Sequence, residues 1–353
     1  MTWLTVHSFR EMDGVFDTTK TLKTTVPARP LMTHGSLFFE FDVPDVLSDQ
    51  TILELNCEWE NHFNQCRIVI EGGAICVQTR LGGAEDYIDP LEIPTEIVGR
   101  KAFVTLAWDI VSQEGYLALE SVAGSVVRKN VFVARLPFAS AMVEALGMGD
   151  AVTSYDVSWA AISDEVEPIC AFPKIGEGAK ILTPSGYVDI ASLRLGDLVT
   201  TKDNGPQPIR WITERCLPVV GALRPKRIFA PLYDVKQELT LGANQRILFE
   251  REDMEYVLGC RSGLARVADI TSSSYLVDVK DCATIWYYGL LFDDHEVIDV
   301  NGCFCESEYL GGLLRYKAFL PQTLYAGMPL SSLPRHRKRA RQTLTRYELA
   351  DIA

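Results

Sequence analysis

Nine cysteines and five histidines are the residues of this 353-residue chain best suited to nucleophilic, proton-transfer or zinc chemistry. No Cys-x-x-Cys pair occurs, so a zinc site is not expected. Cys303 and Cys305 form a Cys-x-Cys, and alternate residues of a strand face the same way. Two ordinary thiols of a reducing compartment are expected there. His295 is the one histidine of the C-terminal half outside a basic run, and Asp293 and Asp294 beside it could orient its ring. Carboxylates at Glu40, Glu54, Glu58 and Glu120 fall on expected strands. A glycosidase needs two at a set separation on one face, and their spacing selects no pair.

The length of the chain points to two domains, and 47% apolar with 23% charged residues suits soluble cores. A net charge of −13 argues against nucleic acid or anionic membranes as partners. The segment Met1–Glu11 lacks a basic stretch followed by an apolar one, so no secretory signal is expected there. No apolar run approaches the roughly 20 residues of a membrane helix. Cytoplasm is the default location, and export by a signal-independent route is compatible with it.

From Gly35 the chain reads as regularly spaced strands: Leu37–Val43, Thr51–Glu58, Arg67–Glu71, Ala74–Thr79, Phe103–Asp109, Gly115–Ser121, Ser125–Arg128 and Tyr155–Ile162. Leu53, Leu55 and Cys57 alternate with Glu54, Asn56 and Glu58, and Gly72-Gly73 and Gly82-Gly83 mark turns. This pattern predicts an antiparallel sandwich. Pro137–Leu146 reads as a short helix or an ordered loop. The acidic, proline-stopped run Asp164–Pro168 reads as a junction between folded units.

Beyond it, Gly178–Ile212 predicts a compact all-β module. Its strands are Lys180–Thr183, Val188–Leu193, Leu198–Thr201 and Ile209–Ile212, parted by turns at Pro184–Gly186, Leu195–Asp197 and Asp203–Pro206. The same stretch carries Asp203, Gly205, Gln207, Pro208, Ile209, Arg210 and Trp211 as one signature. Two later blocks follow in order, Leu239–Leu248 and Leu290–Leu310, the latter with Asp294–Ile298, Asn301-Gly302 and Glu306-Ser307. In these three blocks the C-terminal half resembles the bacterial variety of the Hint (hedgehog/intein) self-processing domain. The N-terminal half is similar to laminin-G or concanavalin-like jelly rolls through Gly35–Phe41, Ile52–Leu55, Ala107–Asp109 and Leu117–Glu120. The expected fold is mainly β. An antiparallel β-sandwich (jelly roll) covers 1–166 and an all-β Hint fold 167–315. A C-terminal tail, 316–353, carries the basic run Arg335–Arg341 and a short helix.

The sandwich resemblance implies a glycan or protein ligand, sometimes with calcium. Asp42, Asp45, Asp49, Glu85, Asp86 and Asp89 have the hard oxygens calcium needs, although loop and edge solubilisation is their plainer role. No other cofactor is expected. Tyr87, Trp59 and His62 are candidates for a sugar platform, with core or rim packing as the alternative. The basic run is expected to be a solvated helix face or an internal partner for acidic surface, not a nucleic-acid or lipid patch.

The Hint resemblance implies scission of the peptide bond before the domain's first residue. A cysteine or serine attacks the preceding carbonyl, a histidine protonates the leaving amide nitrogen, and donors stabilise the oxyanion. Two positions depart from that pattern. The family opens Cys-Phe-x-x-Gly-Thr, yet four residues before Gly178 stands Lys174. Cys170 lies eight before it (178 − 170 = 8) and would serve only with a four-residue insertion in Phe172–Glu177, making Ile169–Cys170 the scissile bond. Gln245 replaces the block's histidine, and a carboxamide exchanges no proton near neutral pH. The implied catalytic set is Cys170 as nucleophile, His295 with Asp294 as acid/base support, and Gln245 polarising the carbonyl. Two readings follow. One is a binding or structural protein whose Hint half is a degenerate scaffold. The other is a self-cleaving protein that releases its N-terminal domain by an N–S acyl shift.

Overall fold

The computed structural model of the chain describes residues 3–10, 22–124, 127–154, 156–170, 172, 174–271 and 273–352. Ser125, Tyr155 and Pro173, which fall in expected segments, lie outside this set. Two compact units are present. The first comprises Met1–Cys170 with Val220–Ala222, the second Ala171–Val219 with Leu223–Ala353.

The first unit has two principal antiparallel sheets. One runs in the order Trp3–Ser8, Val157–Ser163, His34–Asp42, Lys101–Asp109, Glu114–Ser121, Val127–Val133. The other runs Val152–Thr153, Gln50–Trp59, His62–Glu71, Ala74–Leu81, Ala84–Glu92. Side chains of successive strand residues point to opposite faces, so Leu37, Phe39 and Phe41 meet Leu53, Leu55, Ile68 and Ile70 in one core. Burying each such side chain contributes about 1.5–3 kcal/mol. The opposite face of the first sheet is apolar too: Phe38 lies 5.3 Å from both Phe103 and Trp159, ring centre to ring centre. Strand Ala84–Glu92 is absent from the sequence expectation. It is acidic and holds Pro90, a composition tolerated only on a sheet edge, where it lies. Pro137–Leu146 resolves into Phe138–Ala139, which pairs with Leu31–Met32, and the helix Ala141–Met148.

The second unit is built of short strands in two sheets. One follows the order Trp211–Pro218, Thr284–Leu291, Ile175–Gly176, Leu239–Leu241, Lys226–Ile228, Leu276–Asp278. The other passes through Gly186–Asp189, Lys180–Thr183, Val297–Val300, Cys303–Glu306, Arg246–Glu250, Ser262–Arg266 and Gln342–Thr343. The Asn301-Gly302 turn joins the hairpin Val297–Val300/Cys303–Glu306, both residues at positive φ (54° and 98°), as a tight hairpin requires. Cys303 and Cys305 both enter the core of this unit. Two expected strands are corrected. Val188–Leu193 breaks after Asp189 into a short 3₁₀ turn, because the Asp189 carboxylate accepts the Ala191 amide. Ile209–Ile212 is strand only from Trp211 on, Ile209 and Arg210 linking the strands Gly205–Pro208 and Trp211–Pro218. Gly205–Pro208 pairs with Leu198–Thr201 at a sheet margin, where its two prolines leave no ladder donor missing. No helix among the described residues is long and apolar enough to cross a membrane.

Candidate functional site

The strands Arg246–Glu250 and Cys303–Glu306 lie side by side, pairing Ile247 with Cys305. Gln245 and Glu306 sit at the ends of these strands, and His295 precedes Val297–Val300 by two residues. All three are buried. They meet at Glu306, Gln245 at its backbone carbonyl and His295 at its carboxylate. Arg246 donates to it at 3.0 Å, Arg339 reaches its other oxygen at 3.0 Å, and Lys174 stands at 3.6 Å. His295 Nε2 lies 3.4 Å from Glu306 Oε2 without a well-aligned hydrogen bond. Burial pushes the Glu306 carboxyl up, but Lys174, His295 and Arg246 outweigh it and hold the group well below the usual carboxylate range. Glu306 is therefore held as an anion among its cations.

The groups expected to handle a scissile peptide face elsewhere. Gln245 Nε2 donates to the carbonyls of Arg246 at 2.8 Å and Glu306 at 3.0 Å. His295 Nδ1 accepts the backbone N–H of Ala340 at 2.9 Å, which assigns the ring proton of the neutral imidazole to Nε2. Asp294 is exposed, and Asp293 pairs with Arg210 at 2.6 Å, so neither carboxylate forms a hydrogen bond with the ring. Tyr309 takes up the ring edge-on at 5.1 Å between centres, and Arg339 lies 4.2 Å over the tyrosine face. His336 is locked as a neutral ring, Nδ1 accepting from Leu310 N–H and Nε2 donating to the Phe292 carbonyl. Burial moves its pKa down, against the Phe292 hydrogen bond and the charges of Asp294 and Asp293.

Lys174, the residue at the family's cysteine position, thus belongs to the Glu306 cluster. Cys170 belongs to the first unit, and its interactions lie there. Its amide N–H donates to the buried Glu120 carboxylate at 2.7 Å, and its φ is +52°, a strained value for a residue with a Cβ. Burial first, then the Glu120 charge, pushes the thiol far above its ordinary pKa, so it stays protonated. The preceding junction is docked: Ile169 is fully buried, Ser36 accepts the Glu167 N–H and donates to the Glu165 carbonyl, and Tyr116 donates to the Glu167 carbonyl.

Sequence reasoning missed Glu306 as the centre, Arg246 and Lys174 as its partners, and the covering segment that supplies Arg339 and Ala340. Only the presence of Glu306 in the closing block and of Arg339 in the basic run pointed that way. On the sandwich, the carboxylates considered for calcium are engaged singly: Asp42 with Arg10 and Lys101, Asp49 with the Gly72 N–H, Glu85 with Arg80, Asp86 with Arg135. Among the described residues no group of three or more His, Cys, Asp or Glu is gathered to hold a metal ion. Trp59 and His62 pair across a hairpin, while Tyr87 is exposed on another strand opposite Gln78.

Residues 175–312 match the family described as the Hint domain, so the second unit carries a Hint domain. The match stops before the segment that supplies Arg339 and Ala340. The chain is similar to the MchDnaB-1 intein at 12% identity, over 38% of this chain and 99% of that one, with a TM-score of 0.27. It is also similar to the LG1-3 region of the laminin alpha2 chain (10% identity, 80% of this chain and 55% of that one, TM-score 0.26). The binding domain of botulinum neurotoxin serotype D/C VPI 5993 aligns at 10% identity over 80% of this chain and 81% of its own, TM-score 0.27. No curated protein matches the chain. The chain is mainly β with two units, an antiparallel β-sandwich followed by the unit that carries the Hint match. Fold likeness of this kind names no ligand.

Proposed function

We propose that this is a two-domain binding protein in which the β-sandwich recognises a glycan or protein ligand and the Hint domain is a degenerate scaffold that does not cleave. One observation carries the reading. The two groups that would have to polarise a scissile peptide and protonate its nitrogen are already engaged within the second unit: Gln245 by two carbonyls, His295 by Ala340 and Glu306. A missing general acid alone slows such a reaction by on the order of 10²–10⁴-fold. For recognition, the sandwich has a cleft with Leu106, Trp108 and Phe138 in its floor and Gln65, Arg80 and Arg135 among its polar lining. Apolar floors with a few polar groups suit small ligands or single side chains of a partner. The function needs no resident cofactor.

A second reading, self-cleavage at Ile169–Cys170, draws on the strained φ of Cys170 and the carboxylate on its amide. Against it stands the protonated thiol. The purified full chain, held with and without added thiol, is expected to give one intact mass. Fragments ending at Ile169 that the Cys170→Ala variant abolishes would overturn the non-cleaving reading. Gln245→His is also expected to leave the chain intact, because Lys174 still fills the nucleophile position. A glycan-array screen with the full chain tests the recognition half: binding lost on mutating Arg80 or Arg135 supports the cleft.

A further inference from the structure

Residues 339–344 lie in the second unit as a segment that bends at Ala340 and Arg341, is strand at Gln342–Thr343, and makes a contact at each residue. Arg339 donates to buried Glu306 at 3.0 Å. The Ala340 amide caps His295 at 2.9 Å. Arg341 reaches Asp203 at 2.7 Å and the Ser262 hydroxyl at 2.8 Å. Gln342 and Thr343 pair in parallel with Gly263 and Leu264, and the Leu344 N–H donates to the Leu264 carbonyl at 2.8 Å. The Leu344 side chain then enters a pocket with Met254 and Ala265, directly over Gly263: a Cβ there would meet it at 2.6 Å. Backbone pairing, two carboxylates for two arginines and an apolar socket are the parts of a peptide receptor that works by strand addition. The segment lies outside the Hint family match, is covalently joined to the receptor and is held there by these side-chain and edge-strand contacts.

We propose that the edge of Ser262–Arg266, with Glu306, Asp203 and the Met254/Ala265 socket, is a binding site for Arg-x-Arg-x-x-Leu peptides that add a short strand just before the leucine. It is filled in cis by residues 339–344 and takes the same segment from a second copy of this chain when the cis segment is displaced. The second copy is the favoured occupant because the segment seated there already fits both carboxylates and the socket. This site goes beyond the reading of the Hint domain as a scaffold and is independent of whether the chain cleaves.

Two full-length variants test it by complementation. Leu344→Asp spoils the segment and keeps the groove; Gly263→Val blocks the groove and keeps the segment. Each alone is expected to sediment as a monomer, and an equimolar mixture as a 1:1 dimer. A labelled peptide of residues 336–350 is expected to bind the Leu344→Asp chain at least tenfold more tightly than the wild-type chain, in which the cis segment competes. It should bind the Gly263→Val chain not at all. Should Leu344→Asp fail to fold by circular dichroism, Arg341→Glu replaces it. In that arm an Asp203→Arg groove is expected to prefer a peptide carrying Arg341→Asp. A folded, segment-released variant that binds the peptide no better than wild type, or a mixture that sediments as two monomers, overturns the proposal.

Discussion

Each unit buries a carboxylate beside a group that the sequence marks for catalysis, and the two are held in opposite ways. Glu120 lies next to the Cys170 amide and thiol, where its charge adds to burial and keeps the thiol protonated. Glu306 lies among the cations Lys174, Arg246 and Arg339, with the His295 ring beside it, and these neighbours outweigh the cost of burial and keep the carboxylate ionised. The comparison teaches that burial alone does not make a reactive site. A nucleophile needs cations or an imidazole that outweigh burial; Lys129 near Cys170 is overcome by burial and Glu120, while three cations gather on the carboxylate of the other unit.

The largest test breaks the Glu306 side. Glu306→Gln leaves three cations facing a neutral amide and is expected to destabilise the Hint domain by about 3–5 kcal/mol. Urea unfolding should show its transition shift while that of the sandwich stays. The pH dependence follows with a defined sign. A depressed carboxyl pKa gives stability that is complete above the unfolded value of about 4.3 and is lost as pH falls below it. His336, also depressed, binds its proton in the unfolded chain first, so stability declines as pH drops below about 6.5. Thermal melts between pH 7 and 3.5 should show both limbs, and Glu306→Gln should remove the lower one. The smaller test sharpens the Glu120 side. Glu120→Gln keeps an acceptor for the Cys170 amide and removes the charge, so the thiol pKa should fall and alkylation of Cys170 at pH 8 should quicken several-fold. An unchanged rate would mean that burial alone sets the thiol. Last, Asn301→Ala, at φ 54°, is expected to cost about 1–2 kcal/mol through the left-handed backbone, besides its bonds to Lys180 and Glu238.

Much of the frame was legible in the chain. Alternation at Leu53, Leu55 and Cys57 and the Asn301-Gly302 turn are local signals, set by two-residue periodicity and by which residues accept positive φ. The edge strand Ala84–Glu92 and the proline strand Gly205–Pro208 were not legible, because an edge position excuses a composition that a central strand would forbid. At the site, the loss of the family's cysteine and histidine at Lys174 and Gln245 could be read directly. That both replacements would reach the same residue, Lys174 the Glu306 carboxylate and Gln245 its backbone carbonyl, could not.

By itself the sequence determined two β modules, their order, and which residues of a self-processing pattern are missing. Those facts rest on residue identity and short-range pattern. The tertiary structure alone decided that Lys174, Arg246, Arg339 and His295, up to 165 residues apart in the chain (339 − 174 = 165), share Glu306, and that residues 339–344 lie over it. Burial and charge pairing act through space, and no spacing along the chain encodes which distant side chains a carboxylate will meet when water is removed.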